Sequence, residues 1–395
     1  MRLLLLAWAL QAGPADWVRD LGDDSIDVRE RAAARLLRAG RAAEKDLREA
    51  LKSPNGEVRG RAAQLLKELE RAERARSFDP GPARITLRLE GAAPADLLAE
   101  LQKQASTKLV LASGGGRVSA DLDGVPLFEA VDRLCRAHGG LAYAVERRGD
   151  DVSVTLSEGK PDPCPVAFRE QFLIRLESIR MTTHFDLQGG ASSRTRFAFR
   201  WAWEQGTRPA SASIRIEDVV DDAGASYGAD LVQEGLEIMV GQALVSTQQA
   251  FEMPRIPPPG VRALSRIRGD LVLEFPDEMT DFTFKDPEQQ AGETETRGGA
   301  SVRLVYCQRE RARVVARAEL RPGGAAAHFR FVAVDRQGKE HAGRMTRHQG
   351  GEEVVRLDLE APLPPGEELA ALKLSAPAGF RERRIPFEFR DLRIR

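Results

Sequence analysis

Arg196-Phe197-Ala198-Phe199-Arg200-Trp201-Ala202-Trp203 alternates aromatic rings with arginine and alanine. A period of two is the mark of a β-strand with one buried face. Burying such rings contributes on the order of 2 kcal/mol each, so the row is expected on the inner side of a sandwich. Facing water, the same row would be a sugar-stacking platform. The exposure of Trp201 and Trp203 separates the two readings.

Downstream the pattern persists. Ile214 and Ile216 continue it, and Asp221-Asp222-Ala223-Gly224 turns the chain. Met253-Pro-Arg-Ile-Pro-Pro-Pro-Gly260 is a stiff joint and marks the expected boundary within the tail. Beyond it Leu271-Leu273-Phe275, Phe282-Phe284, Val302-Leu304-Tyr306, Val314 to Leu320, Phe329 to Val334, Val355-Leu357-Leu359, Leu372-Leu374 and Phe387-Phe389 read as successive short strands. Val334-Asp335-Arg336-Gln337-Gly338 echoes Val220-Asp221-Asp222-Ala223-Gly224. The tail resembles immunoglobulin-like β-sandwiches, and two related ones would explain the echo. One or two sandwiches are expected, over residues 166–252 and 261–395.

Upstream of the tail the period changes. Ile85, Leu87 and Leu89 alternate, and Leu97, Leu98, Leu101 and Ala105 follow at helical spacing. Leu109 and Leu111 form the next strand, and a glycine run at Gly114-Gly115-Gly116 breaks the chain. The scheme then restarts with Val118 to Leu122 and a helix carrying Leu127, Ala130, Val131 and Leu134. Strands at Leu141–Val145 and Val152–Leu156 complete it. Leu89-Glu90-Gly91 and Leu122-Asp123-Gly124 each lead through a proline into a helix, so a duplicated β–α unit is expected to fold against one small sheet, with Leu101 and Leu134 inward. The run Asp123-Gly124-Val125-Pro126-Leu127-Phe128-Glu129-Ala130 resembles the short N-terminal domain shared by secretins and TonB-dependent receptors, and residues 84–157 carry that resemblance. It implies a β-α-β-β-α-β docking module of the bacterial envelope without catalytic residues. The barrels of both families have no counterpart here, so neither function carries over.

Residues 16–76 read as helical. Val28-Arg29-Glu30-Arg31-Ala32-Ala33 recurs as Val58-Arg59-Gly60-Arg61-Ala62-Ala63, and Leu36 as Leu66. Ser25 or Asp27 is suited to cap the first helix, Gly40 to end it, and Ser53-Pro54 to open the next. The segment resembles a HEAT-like repeat of about one and a half units. The helix is expected to end before Phe78, and residues 77–83, rich in proline and glycine, to form a linker. At the start, Met1-Arg2, the apolar run Leu3–Leu10 and the small residues Ala12, Gly13 and Ala15 have the order of a secretory signal over residues 1–15. No later apolar stretch approaches the ~20 residues of a membrane-spanning helix.

The whole is therefore a multi-domain α+β chain: a short helical repeat, a small α+β module, and one or two antiparallel β-sandwiches. A net charge of -1 over 395 residues, with the signs interleaved, excludes a nucleic-acid-binding field. Cys135, Cys164 and Cys307 supply neither a disulfide framework nor a metal knuckle, and a Cys164–Cys307 bridge is permitted but not required. Hydrolase, metalloprotease, P-loop and dinucleotide motifs are absent. His341 and His348 flank one expected turn, but two exposed imidazoles without a carboxylate or thiol make a poor metal site. Asp221-Asp222 and Asp277-Glu278 read as turn carboxylates that bond local backbone. The expectation is a non-enzymatic, cofactor-free protein, periplasmic or secreted, that engages an envelope protein partner. Carbohydrate or surface-polymer binding through the tail is the alternative. The expected docking site is a sheet edge at Lys108, Leu109, Val110 and Leu111 or at Val118–Leu122, where a partner strand would add.

Overall fold

The computed structural model describes residues 13–148, 151–185, 191–227, 231–232, 236–237, 249–253, 261–321, 328–350 and 353–394. The charged and apolar parts of the expected leader lie outside them, as does the proline-rich joint from Pro254 to Gly260. Two compact units are present, residues 1–77 and 78–395. No described helix is long and apolar enough to cross a membrane.

The first unit contains α1 (Pro14–Asp20), α2 (Ile26–Ala39), a 3-10 turn at Gly40–Ala43, α3 (Glu44–Ala50) and α4 (Gly56–Phe78). Pro14 and Ala15, placed by the sequence at the leader's exit, are the first residues of α1. The thirty-residue repeat is an atomic one. Arg29 donates to the carbonyls of Asp23 and Asp24, and Arg59 donates in the same way to those of Ser53 and Pro54. Each arginine ties the loop ahead of its helix, while Ala32, Leu36, Ala62 and Leu66 fill the core between the helices. Gly40 ends α2 with φ 59°. The cap of α4 is Asn55, whose Oδ1 accepts from Glu57 N–H at 2.9 Å, and not Ser53. Contrary to expectation, the helix does not end before Phe78: α4 runs through it, the first residue of the second unit.

The small module comprises β1 (Arg84–Ala92), α5 (Pro94–Gln104), β2 (Lys108–Leu111), β3 (Val118–Pro126), α6 (Leu127–His138), β4 (Leu141–Arg148) and β5 (Asp151–Glu158). Leu101 and Leu134 are both buried. The strands form two sheets rather than the single one expected: β1 with β3 antiparallel, and β2–β5–β4 with β2 parallel to β5. A side chain of α5 lies against the edge of β1 at Thr86. Gln104 accepts from Thr86 N–H at 2.9 Å and donates to Thr86 C=O at 3.0 Å, occupying the edge of β1 as a strand would.

The tail begins with β6 (Val166–Arg169), β7 (Phe172–Phe185), β8 (Ala191–Trp203), β9 (Ser211–Asp221), β10 (Leu231–Val232), β11 (Leu236–Glu237), β12 (Gln249–Met253) and β13 (Ala263–Lys285). It continues with β14 (Thr294–Arg297), β15 (Ala300–Glu310), β16 (Arg313–Arg321), β17 (Arg330–Asp335), β18 (Glu340–Ala342), β19 (Arg344–Gly350), β20 (Val355–Pro362) and β21 (Leu369–Arg393). Among the described residues, β12–β8–β7–β6 form one sheet, β14–β15–β16–β20–β19 a second, and β10–β9–β13–β21–β17–β18, with β11 on β9, a third. The third sheet contributes to a core with each of the others. In each half the first three strands lie side by side. Immunoglobulin domains send the third strand to the opposite sheet, so the connectivity differs from the one the tail resembles.

The two halves share most of their strand order, with β6–β10, β12 and β13 answering β14–β18, β20 and β21, and their last strands join them; β11 pairs with β9, whereas β19 pairs with β20. β13 and β21 pair antiparallel from Ala263↔Arg393 to Lys285↔Ala371. The sequence reads each as two short strands separated by proline. Instead, register shifts around Pro276–Met279 absorb Pro276, Asp277 and Pro377 without ending the ladder. Hence Asp277-Glu278 sits inside a strand and not in a turn. Phe282-Thr283-Phe284-Lys285-Asp286 at the end of β13 returns as Phe387-Glu388-Phe389-Arg390-Asp391 at the end of β21, and Asp286 and Asp391 share a left-handed backbone, φ 46° and 53°. Each strand starts in its own core and finishes in the other. Leu264, Ile267 and Leu271 join the first core and Phe282 and Phe284 the second, while Leu372 and Leu374 join the second and Phe387 and Phe389 the first. A division at 252/261 therefore does not separate the cores.

Candidate functional site

Ala112 N–H donates to Leu156 C=O at 2.8 Å, which fixes the facing of β2: Val110 points to β5, and Leu109 and Leu111 point away. The outward N–H of Leu109 is already taken by Gln102 Oε1 at 2.8 Å, and Gln102 Nε2 donates to the carbonyls of Ala105 and Thr107. The edge at Lys108–Leu111 is thus closed at Leu109, and Val110 donates into its own sheet. On the other sheet Thr86 faces Gln104, so by alternation Leu87 and its partner Leu122 face one another. Ser119 and Asp121 on β3 then direct their backbone groups outward, and no described strand pairs with β3 on that side. The side chains of Val118 and Leu122 belong to the module core.

The module is seated on the tail's first sheet through a shared apolar core that includes Leu173 and Ala202 and through polar contacts. Gln205 accepts from Val152 N–H at 2.6 Å, and its own N–H reaches Thr107 Oγ1 at 2.9 Å. Beside it Glu204, 2% exposed, accepts from Ala83 N–H at 2.8 Å. Burial raises the Glu204 carboxyl to about 7, overcoming the opposing pull of the Ala83 and Leu127 N–H groups and of Arg84. Residues 78–83 are held fast. Phe78 C=O accepts from Arg208 N–H at 2.7 Å, and Asp79, 6% exposed at its side chain, accepts from Gln171 Nε2 and, at both carboxylate oxygens, from Arg383 Nη1.

The aromatic row lies in the core: Phe197 and Phe199 are fully buried, and Trp201 and Trp203 are 6% and 5% exposed. It offers no stacking platform. All three cysteines are free thiols, so Cys164 and Cys307 do not pair. Burial pushes the Cys135 and Cys307 thiols up to about 12, which makes them poor nucleophiles.

The two echoing turns repeat each other bond for bond. Asp221 Oδ1 accepts from the N–H groups of Ala223 and Ala225, and Asp335 Oδ1 from those of Gln337 and Lys339. Gly224 and Gly338 take the same left-handed φ, 84° and 81°. The second oxygen differs in its partner. Tyr227 OH donates to Asp221 Oδ2 at 2.5 Å, whereas His341 Nε2 lies 3.0 Å from Asp335 Oδ2. The hydrogen bond from Tyr227 or His341 is the main reason that each aspartate sits below its ordinary range. His341, expected as an exposed turn residue, is 8% exposed on β18 and also stands 3.0 Å from Glu367 Oε2. His348 lies on β19 in another sheet, so the two histidines do not share a hairpin. The echo in sequence pointed to the turn. Nothing local pointed to Glu367, which follows β20. Compared with protein-family models and with curated proteins, the sequence matches none.

Proposed function

We propose that the chain is a non-enzymatic, exported envelope protein of interaction or scaffolding type, whose small α+β module docks a partner by adding a strand to β3. The supporting observation is the outward-facing backbone of Ser119 and Asp121 on an edge that no described strand covers, whereas glutamine side chains occupy the edge of β1 at Thr86 and that of β2 at Leu109. The HEAT-like and secretin-like resemblances belong to this reading, with the helical segment as a spacer. Placement in the periplasm or outside the cell rests on the leader pattern of residues 1–15.

Asp121→Pro tests the docking edge. It removes one outward N–H and leaves the Leu87–Leu122 pair intact, and its Arg88 ion pair is exposed and worth little. Recovery of an envelope partner by the full chain should drop sharply while the thermal melt stays in place. Undiminished recovery from a folded variant rejects β3 as the docking edge. Carbohydrate binding through the aromatic row is not carried forward, because Trp201 and Trp203 are interior.

A further inference from the structure

We propose that Asp335, His341 and Glu367 form a site for one divalent transition-metal ion, zinc being the best match. The two Asp turns differ at their ligand positions. Backbone bonds fix the correspondence: Asp222 N–H donates to Ala263 C=O as Arg336 N–H donates to Glu368 C=O. The residue preceding each acceptor is Arg262 in the first half and Glu367 in the second. The first turn thus pairs its carboxylate with a phenol and has Arg262 at the chain position of Glu367. The second assembles a carboxylate, an imidazole and a second carboxylate. A turn whose architecture needs only a hydrogen-bond donor to Asp Oδ2 has acquired the ligand types of a borderline cation.

Proton counting supports the same conclusion. His341 Nε2 stands 3.0 Å from both Asp335 Oδ2 and Glu367 Oε2, and one N–H satisfies only one of them. Glu367 Oε2 is buried and is left without a hydrogen bond. A cation bound through the nitrogen lone pair serves both oxygens at once. The remaining oxygens are already oriented: Asp335 Oδ1 by two backbone N–H groups, Glu367 Oε1 by Lys339 Nζ at 3.3 Å. Such outer bonds aim carboxylate ligands.

Spacing is compatible. Atoms each about 2.1 Å from a tetrahedral ion are about 3.4 Å apart, and one donor atom from each of the three residues lies within 4.8 Å of the others. Adjustments of about 1 Å bring them to that spacing. The nitrogen ligand and the small number of oxygens disfavour calcium, which takes about six to eight oxygens. Three protein ligands leave a fourth position for water or for a ligand from a partner. The side chain of Glu367, one quarter exposed, places that position toward solvent.

The test uses the full chain, stripped of metal, titrated calorimetrically with zinc and with calcium and followed optically with cobalt. Zinc should bind one per chain and raise the melting temperature, calcium should not, and cobalt should develop the visible absorption of a tetrahedral site. The double variant His341→Tyr, Glu367→Arg rebuilds the first turn's own set, so it keeps the strut and removes two ligands. Its metal-free melt should match the parent, and its zinc affinity should fall by more than about a hundredfold, the most that loss of even an outer-shell partner usually costs. The single variant Glu367→Gln, at the more exposed end, provides the same comparison if the double variant is unfolded. The proposal is overturned if the parent binds zinc no more tightly than whichever variant folds, or if cobalt gives both the same spectrum.

Discussion

Glu204→Gln isolates the cost of one buried carboxyl at the seam between the small module and the first sandwich. The parent carboxyl is raised from an ordinary 4.5 to about 7, chiefly by burial. Folded chains therefore hold a proton that unfolded chains have released across that window. Linkage then makes the stability of the parent fall as pH rises from 4.5 to about 7 and stay low above it. A difference of that size corresponds to about 3 kcal/mol. Glutamine copies the protonated form, keeps an oxygen for Ala83 N–H, and does not titrate. Urea unfolding followed by the fluorescence of the buried Trp201 and Trp203 reads the difference. Near pH 4 the two proteins should differ least. Near pH 8 the variant should gain about 3 kcal/mol on the parent relative to that baseline. An unchanging difference from pH 4 to pH 8 would refute the assignment of a raised carboxyl to this seam.

Other perturbations test the scaffold. Asp79→Ala removes the carboxylate that Gln171 and Arg383 Nη1 share and leaves Arg383 with Glu170 as its remaining acidic partner; it should cost about 2 kcal/mol in denaturant unfolding. Gly269→Ala forces a Cβ to within 2.2 Å of Arg215 C=O and 2.9 Å of the Phe387 ring. It should destabilise by about 2 kcal/mol or more, because the obstruction is backbone. Gln104→Ala bares the Thr86 donor and acceptor on β1. Stability should fall by about 1 kcal/mol, and light scattering should show greater self-association through the reopened edge.

The strands' inner faces, the two amphipathic helices of the small module and the thirty-residue helical repeat were all legible in the sequence, because each is a local period. Phe197 to Trp203 declares its buried face through alternation alone, and Val28-Arg29 and Val58-Arg59 declare their shared loop tie through spacing. The duplicated Asp turn was visible too, since the hydrogen bonds to each aspartate's carboxylate stay within Asp221 to Tyr227 and Asp335 to His341. What tertiary structure decided depends on groups that the chain separates widely. Pro276 and Pro377 look like strand ends until β13 and β21 pair, and only then do the bulges keep both strands whole. The edges of β1 and β2 look open until α5 lays Gln104 and Gln102 against them. Asp79 meets Arg383 across 304 positions, and Glu367 meets His341 only after the chain has passed through β19 and β20 of another sheet. Local periodicity carries the sign of burial for each residue. The partner that satisfies a buried charge is fixed by packing between distant segments, where the cost of leaving it unpaired is set.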